Sequence, residues 1–342
     1  MSDAEMQTRK LQKVGGSTYT VSIPKRWAEN HGLEAGCDVH LYTHADGSLV
    51  VRGSRTDGGD LDATRVEIDG PGVNAVERVL KATYAVGFDE VTLAATRAFT
   101  DDQRRTARAL ARTLIGTEIA EEDDARIVVR NLLDPADVSV RQSVSQLTFV
   151  ALSMHRTATD AALGEGTGAD SVAGRDDEAD RLFEMLARHF SRSLTDFAEV
   201  DHLGVDRPEL FDHYLTARQL ERVADHAVRI ARIAAASDGE VGAGIDRELV
   251  DRARESGAAA RRVVEDAVEV VTGDARTETA HGVLDRRDEV VAELEAIERD
   301  AFERGTADAY HLTRVLDGLV RTAEYGGNVA EVAVESALRE RD

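Results

Sequence analysis

From about residue 137 to the C-terminus, apolar residues return every three or four positions, a period that a helix satisfies and a strand does not. Six segments carry it, 137–163, 175–199, 207–236, 246–272, 276–304 and 306–340, separated by breakers such as GEGTGADSVAG and SDGEVGAG. "RVADHAVRIARIA" (222–234) and "RTAEYGGNVAEVA" (321–333) align without a gap at an offset of 99, sharing Arg, Ala and an acid at Asp225 and Glu324. The expected architecture for 137–342 is therefore all-α, a tandem of two three-helix bundles over about 137–237 and 246–340.

The first third of the chain reads differently. Residues 8–14 (TRKLQKV), 17–23 (STYTVSI), 37–43 (CDVHLYT) and 48–52 (SLVVR) are short strand candidates, with turns at Gly15-Gly16 and Asp46-Gly47. Between them Pro24 opens a short helix, PKRWAENHG, which Gly32 closes. Residues 1–55 are too few to bury a core alone, so this segment is expected to dimerise. Residues 54–63 (SRTDGGDLDA) read as a linker. Residues 64–134 alternate strand, helix, strand, helix and two strands, which predicts a small α/β domain with its helices on one face of a sheet. No phosphate loop or metal-ligand spacing is found in it.

Charge separates these regions further. The 342 residues carry 42 Lys plus Arg against 65 Asp plus Glu, a net charge of -23, yet residues 1–55 hold seven basic and six acidic side chains. Lys10, Lys13, Lys25 and Lys81 are the only lysines. Many acids with scarce lysine fit a salt-rich cytoplasm, where hydrated carboxylates keep the surface wet and salt screens their repulsion; an ordinary acidic protein has the same signature. The single Cys37 excludes an internal disulfide or cysteine zinc cage, and neither a signal peptide nor a membrane span is visible, so cytoplasmic localisation without membrane insertion is expected.

Arg9, Lys10 and Lys13 on the first strand, with Lys25 and Arg26 on the short helix, can form a basic surface that pairing of two chains would double, although solvated charges give the same pattern. "RKLQKVGGSTYTVSIPKRWAENHGLEAGCDVHLY" resembles the AbrB-like (SpoVT-AbrB) swapped-hairpin domain: a basic strand, a Gly turn, a T-x-V-S-I-P-K strand and a short helix ending in "HGL". Cys37 departs from the pattern, since an Asp usually follows that Gly directly. The resemblance implies an obligate dimer of interdigitated hairpins that binds DNA through those five cations, with Trp27 filling the dimer core.

In the helical region, Asp176 and Asp180, and Glu221 and Asp225, are i,i+4 pairs, each on one helix face. Spacing alone decides nothing, because this composition yields roughly 12 such pairs by chance. On a helical wheel the seam of 207–236 is Leu220, Val223, Ala224, Ala227, Ile230, Ala231 and Ala234, and that of 175–199 is Ala179, Leu182, Phe183, Leu186, Phe190 and Phe197. All four acids flank these seams, where they can share a hard or borderline cation or simply face solvent. Residues 137–342 resemble the PhoU domain, a tandem of three-helix bundles whose acid-x-x-x-Asp motifs bind multinuclear metal. "RDDEADRLF" and "ERVADHAVRIA" fit the motif helices. In the second unit Asp288 and Glu324 match, but Ala292 and Val320 stand where acids are expected, so only a weaker site is implied. The metal, divalent or multinuclear, could be Fe, Zn, Mg or Mn.

His226 beside Asp225 is a further candidate ligand, with no HExxH motif to support it. No P-loop, Ser/His/Asp order or reactive cysteine environment points to an enzyme. The resemblances together imply a DNA-binding regulator of the haloarchaeal type that represses phosphate transport and phosphate-responsive genes when phosphate is plentiful. Its expected partners are DNA, a second copy of the chain and the phosphate ABC transporter ATPase. The alternative is a dimeric adaptor that docks this ATPase without binding DNA.

Overall fold

The computed structural model describes residues 8–16, 18–43, 47–53, 61–164, 168–236, 245–273, 277–305 and 309–339. The chain divides into two compact units, a head (1–59) and a body (60–342).

In the head, β1 (Gln12–Val14) and β2 (Thr18–Thr20) form an antiparallel hairpin in which Lys13 faces Tyr19. The turn places Gly15 at φ 67°, a backbone region that favours glycine. Helix α1 (Lys25–Asn30) follows Pro24, and the chain leaves it through Gly32 (φ 67°) with the Leu33 N–H donating to Ala28 O. Strands β3 (His40–Thr43) and β4 (Leu49–Arg52) pair antiparallel, Tyr42 opposite Val50. The described strands are shorter than the sequence suggested, so Arg9 and Lys10 precede β1 and Lys13 alone of the three lies on it. Residues 44–46 and 54–60, which include Asp46 of the expected turn and most of the expected linker, lie outside the described residues.

The body opens with β5 (Ala63–Ile68), α2 (Val73–Val86), β6 (Glu90–Ala95), α3 (Asp101–Thr113), β7 (Thr117–Glu122) and β8 (Arg126–Asn131), in sheet order β5-β6-β8-β7. Strands β5 and β6 are parallel, and β8 runs antiparallel to both neighbours. Every second residue of the inner strands, Val91 and Leu93 on β6 and Ile127 and Val129 on β8, meets Val76 and Leu80 of α2 and Ala107 and Ala111 of α3 in one buried cluster. Between β7 and β8 the register shifts at Ile119/Glu121.

The helices follow: α4 (Val140–Ala162), α5 (Ala169–Ser193), α6 (Phe197–Leu203), α7 (Arg207–Ala236), α8 (Arg247–Thr272), α9 (Thr277–Glu303) and α10 (Ala309–Arg339). Two details differ from the sequence reading. Helix α5 begins six residues earlier than expected, because buried Val172 ties its Gly- and Ser-bearing first turns to the core. It ends at Ser193, and Asp196 caps a separate helix by accepting from Ala198 N. Phe197 therefore belongs to α6 and not to the α5 seam. Helices α4, α5 and α7 form the first three-helix unit and α8, α9 and α10 the second; one buried cluster, which includes Val144, Ala224, Val263 and Leu319, runs through both.

The α/β segment is fastened to the helices by two arginines of α5. Arg188, 2 % exposed, donates to Tyr84 O (3.2 Å), Phe88 O (2.8 Å) and Asp89 Oδ1 (2.8 Å). Arg192 reaches Gly87 O (2.7 Å), Asp89 Oδ1 (2.7 Å) and Glu199 Oε2 (3.0 Å). Gly87 is required twice over: its φ of 111° ends α2, and a Cβ there would collide with the Arg192 side chain. Burial pushes the Glu199 carboxyl up, but the hydrogen bond from His189 and the charge of Arg192 outweigh it and hold the group below its ordinary value. These contacts fix the end of α2 against α5.

Candidate functional site

Helices α5 and α7 bring the four acids of the first unit together. Asp176, Asp180, Glu221 and Asp225 are all half-buried, and each lies within Coulombic range of others in the set. The structure adds a fifth, Glu184, one turn beyond Asp180 on the same stripe of α5, with a side chain 19 % exposed. Burial, reinforced by Asp180 and Asp225, pushes Asp176 up to about 6. Burial pushes Glu184 up to about 7, with Lys81 opposing and Asp180 and Glu221 reinforcing. Asp180 is raised by burial against the pull of Lys81, and Glu221 by burial and Asp225. Carboxylates resist ionising where water is scarce and like charge is near.

Cations border the cluster without filling it. Lys81 Nζ on α2 lies 3.6 Å from Glu77 Oε1 and 3.9 Å from Glu184 Oε1. Arg218 lies over the Phe183 ring and Arg222 over Tyr325, both near Glu221, while Arg232 is near Asp176. Among the described residues, no three carboxylate, imidazole or thiol groups converge into a ready coordination set. The donor set nonetheless fits a hard or borderline divalent cation in its chemistry: oxygen ligands only, from two facing helices, with excess negative charge. His226 has its Nε2 engaged by Tyr325 Oη (3.2 Å) and Arg229 Nη1 (3.3 Å).

The second unit is built otherwise. Asp288 is 72 % exposed and pairs with Arg287 Nε at 2.6 Å, and Glu324 pairs with Arg321 Nη1 at 2.8 Å. At the places of Asp180, Glu184 and Glu221 stand Ala292, Ala296 and Val320. Each acid is neutralised by an arginine of its own helix, and the structure shows no shared cluster for the pair among its described residues.

In the head, all five expected DNA-contacting residues are exposed. Lys25 forms a loose, solvent-exposed pair with Glu29 (3.5 Å), and Arg9 reaches the carbonyl of Thr8 (3.2 Å). Trp27 stacks on His31 at 4.6 Å between ring centroids.

Glu184 and Lys81 are the members that sequence reasoning missed. Glu184 continues the Asp176, Asp180 spacing by one more turn, a signal that pairwise inspection stopped short of. Lys81 belongs to a different segment, and its one flag was its isolation as the only lysine after residue 25.

Residues 144–234 match the PhoU domain, and residues 12–57 match MazE, a bacterial antitoxin of antidote-toxin recognition. The crystal structure of PhoU from Pseudomonas aeruginosa is similar over 59 % of this chain and 96 % of that one, at 19 % sequence identity and a TM-score of 0.48. No curated protein matches the chain. The chain thus carries a PhoU domain in its helical region behind an N-terminal MazE/AbrB-like antitoxin-type domain.

Proposed function

We propose that this protein is a DNA-binding regulator of phosphate uptake and homeostasis, repressing phosphate transport and phosphate-responsive genes when phosphate is plentiful. The observation that carries the reading is the contrast between the head and its surroundings. None of the described head residues is buried, and Leu11, Val14, Tyr19, Val21, Ile23, Val39, Leu41 and Leu49 are all more than a third exposed. A segment with so much bare apolar surface gains stability by pairing with a second copy of itself. Pairing also doubles the cations Arg9, Lys10, Lys13, Lys25 and Arg26, in the one of the chain's three regions, 1–55, 64–134 and 137–342, where acids do not outnumber the basic residues.

Behind the head, the PhoU domain supplies the link to phosphate, and Asp176, Asp180, Glu221 and Asp225, with Glu184, are its metal ligands in this reading. A bound divalent cation there offsets carboxylate repulsion and locks α5 to α7. A second reading, a dimeric adaptor that docks the phosphate transporter ATPase without touching DNA, is favoured by the near-neutral head and by the Lys25–Glu29 pair.

The two readings part in a gel-shift assay of the full chain against its own upstream region and the transporter promoter, at molar KCl. Specific retardation that Lys25→Glu with Arg26→Glu weakens across both DNAs supports the regulator, because phosphate contacts act regardless of sequence. An unshifted promoter at every salt concentration would leave the adaptor.

A further inference from the structure

Of the 35 basic residues after position 55, only Lys81 is a lysine. It stands on α2 of the α/β segment, yet its ammonium reaches across to Glu184 of α5 at 3.9 Å. Among the groups that face Asp180 and Glu184 it is the cation, whereas Arg218, Arg222 and Arg232 serve Glu221 and Asp176 from the other side. The contact is too long for a hydrogen bond, and the lysine side chain is 40 % exposed, so a short swing returns the ammonium to water. An arginine would lock a carboxylate through two parallel hydrogen bonds, but a lysine is a compact point charge on a flexible stem and is readily displaced.

We propose that Lys81 is a tethered stand-in for the metal, competing with it for the carboxylates of α5, so that metal occupancy is coupled to the docking of the α/β segment on the helical body. The inference rests on the metal reading above. Its physical basis is placement: Arg188 and Arg192 pin the end of α2, at Tyr84 through Asp89, to α5, which delivers Lys81 to a fixed point beside the cluster. A divalent ion held by the carboxylate cluster that includes Asp180 and Glu184 would repel the neighbouring ammonium. By reciprocity, whatever strengthens Lys81 docking weakens metal binding, and metal binding loosens α2. An ordinary surface ion pair, whose ammonium simply swings into water, leaves the backbone of α2 undisturbed when metal binds.

The test uses the full-length protein stripped with chelator, titrated calorimetrically with Mn2+ and, separately, Zn2+, as wild type, Lys81→Met and Lys81→Arg. Removing the charge is expected to tighten the metal Kd roughly tenfold or more, while the charge-keeping Arg variant stays within about threefold of wild type. In parallel, hydrogen exchange over residues 73–86 is expected to speed up on metal addition in the wild type and to stay unchanged in Lys81→Met. Equal affinities for wild type and Lys81→Met overturn the competition while the metal reading stands. Tightening in the Arg variant as large as in the Met variant also overturns it, since charge is then not the cause. Absence of binding by every variant overturns both readings together.

Discussion

The two three-helix units of the body share a plan and differ in what fills it. Counted at an offset of 99, the buried positions of α7 recur on α10: Val223, Ala224, Ala227, Ile230, Ala231 and Ala234 correspond to Thr322, Ala323, Gly326, Val329, Ala330 and Ala333, all buried. His226 and Tyr325, which correspond, touch each other at 3.2 Å, as equivalent residues do when a pseudo-twofold axis passes between repeats. On this common frame the first unit carries five half-buried acids, and the second replaces three of those places by Ala292, Ala296 and Val320 and gives its remaining acids arginines. The glycines complete the exchange. A Cβ on Gly326 would lie 2.8 Å from Val263 Cγ1 and 2.9 Å from Val264 N, and one on Gly327 would lie 2.8 Å from Arg287 Nη1. The second unit brings α10 backbone to backbone with α8 and leaves room for an arginine; the first keeps Ala227 and Val228 at those places and leaves room for charge. The two units keep the same core positions and differ along the polar flank, because core positions are constrained by packing and flank positions by chemistry.

The sharpest way to break this comparison is to remove acids from each unit in turn. If the cluster binds metal as proposed, Asp180→Asn with Asp225→Asn is expected to abolish most metal uptake and the accompanying thermal stabilisation, about 2.7 kcal/mol at a hundredfold excess over Kd. Asp288→Asn with Glu324→Gln is expected to change metal content little. Metal analysis and melting with and without added cation read both; equal losses from the two variants would show that the second unit holds a site of its own.

Glycine and alanine at the corresponding positions offer a second test. Gly326→Ala is expected to cost about 2–3 kcal/mol, since its methyl group meets backbone that cannot step aside. The reverse change in the first unit, Ala227→Gly, is expected to cost about 1 kcal/mol, mostly helix propensity. Urea unfolding measures each, and a harmless Gly326→Ala would mean that the two units pack their helices alike.

A smaller effect probes the seam where the units meet. His155 of α4 is fully buried, with Arg261 of α8 at 3.3 Å from its Nδ1. Burial, with the charges of Arg261 and His226 adding, pushes its pKa down to about 3. The folded state thus keeps this ring neutral while the unfolded chain protonates it near 6.5, so its contribution is present above that value and is lost as pH falls toward 3. Between pH 7 and pH 5 the wild type should lose about 2 kcal/mol relative to His155→Leu, from protonation of the unfolded histidine alone. An unchanged stability gap over that range would place a proton or a partner on His155 in the folded protein.

Much of this frame could be read from residues alone, and the failures have physical causes. Helix α7 runs over the expected 207–236, because Pro208 sits in its first turn, where no intrahelical N–H is needed, and no glycine breaks the periodicity after it; the elements of 64–134 follow in the expected order. The start of α5 was misjudged because Gly174, Ser171 and Asp170 signal a loop locally, and one buried valine, Val172, overrules them. Its end was missed because a capping Asp196 is inconspicuous in a chain so rich in aspartate. The acid pairs were legible as i,i+4 spacings, but their convergence depends on which faces of α5 and α7 meet. The approach of Lys81 depends on the docking of another segment and leaves no mark in local sequence.

The sheet of the body has one further bearing on how copies of this chain meet. Its edge strand β7 carries Glu118, Glu121 and Glu122, and the irregular register at Ile119/Glu121 twists that edge away from regular pairing. A kinked edge studded with carboxylates is a poor template for a strand from a second molecule. Where salt screens the repulsion between acidic molecules, this edge guards against strand-to-strand association between copies of the chain.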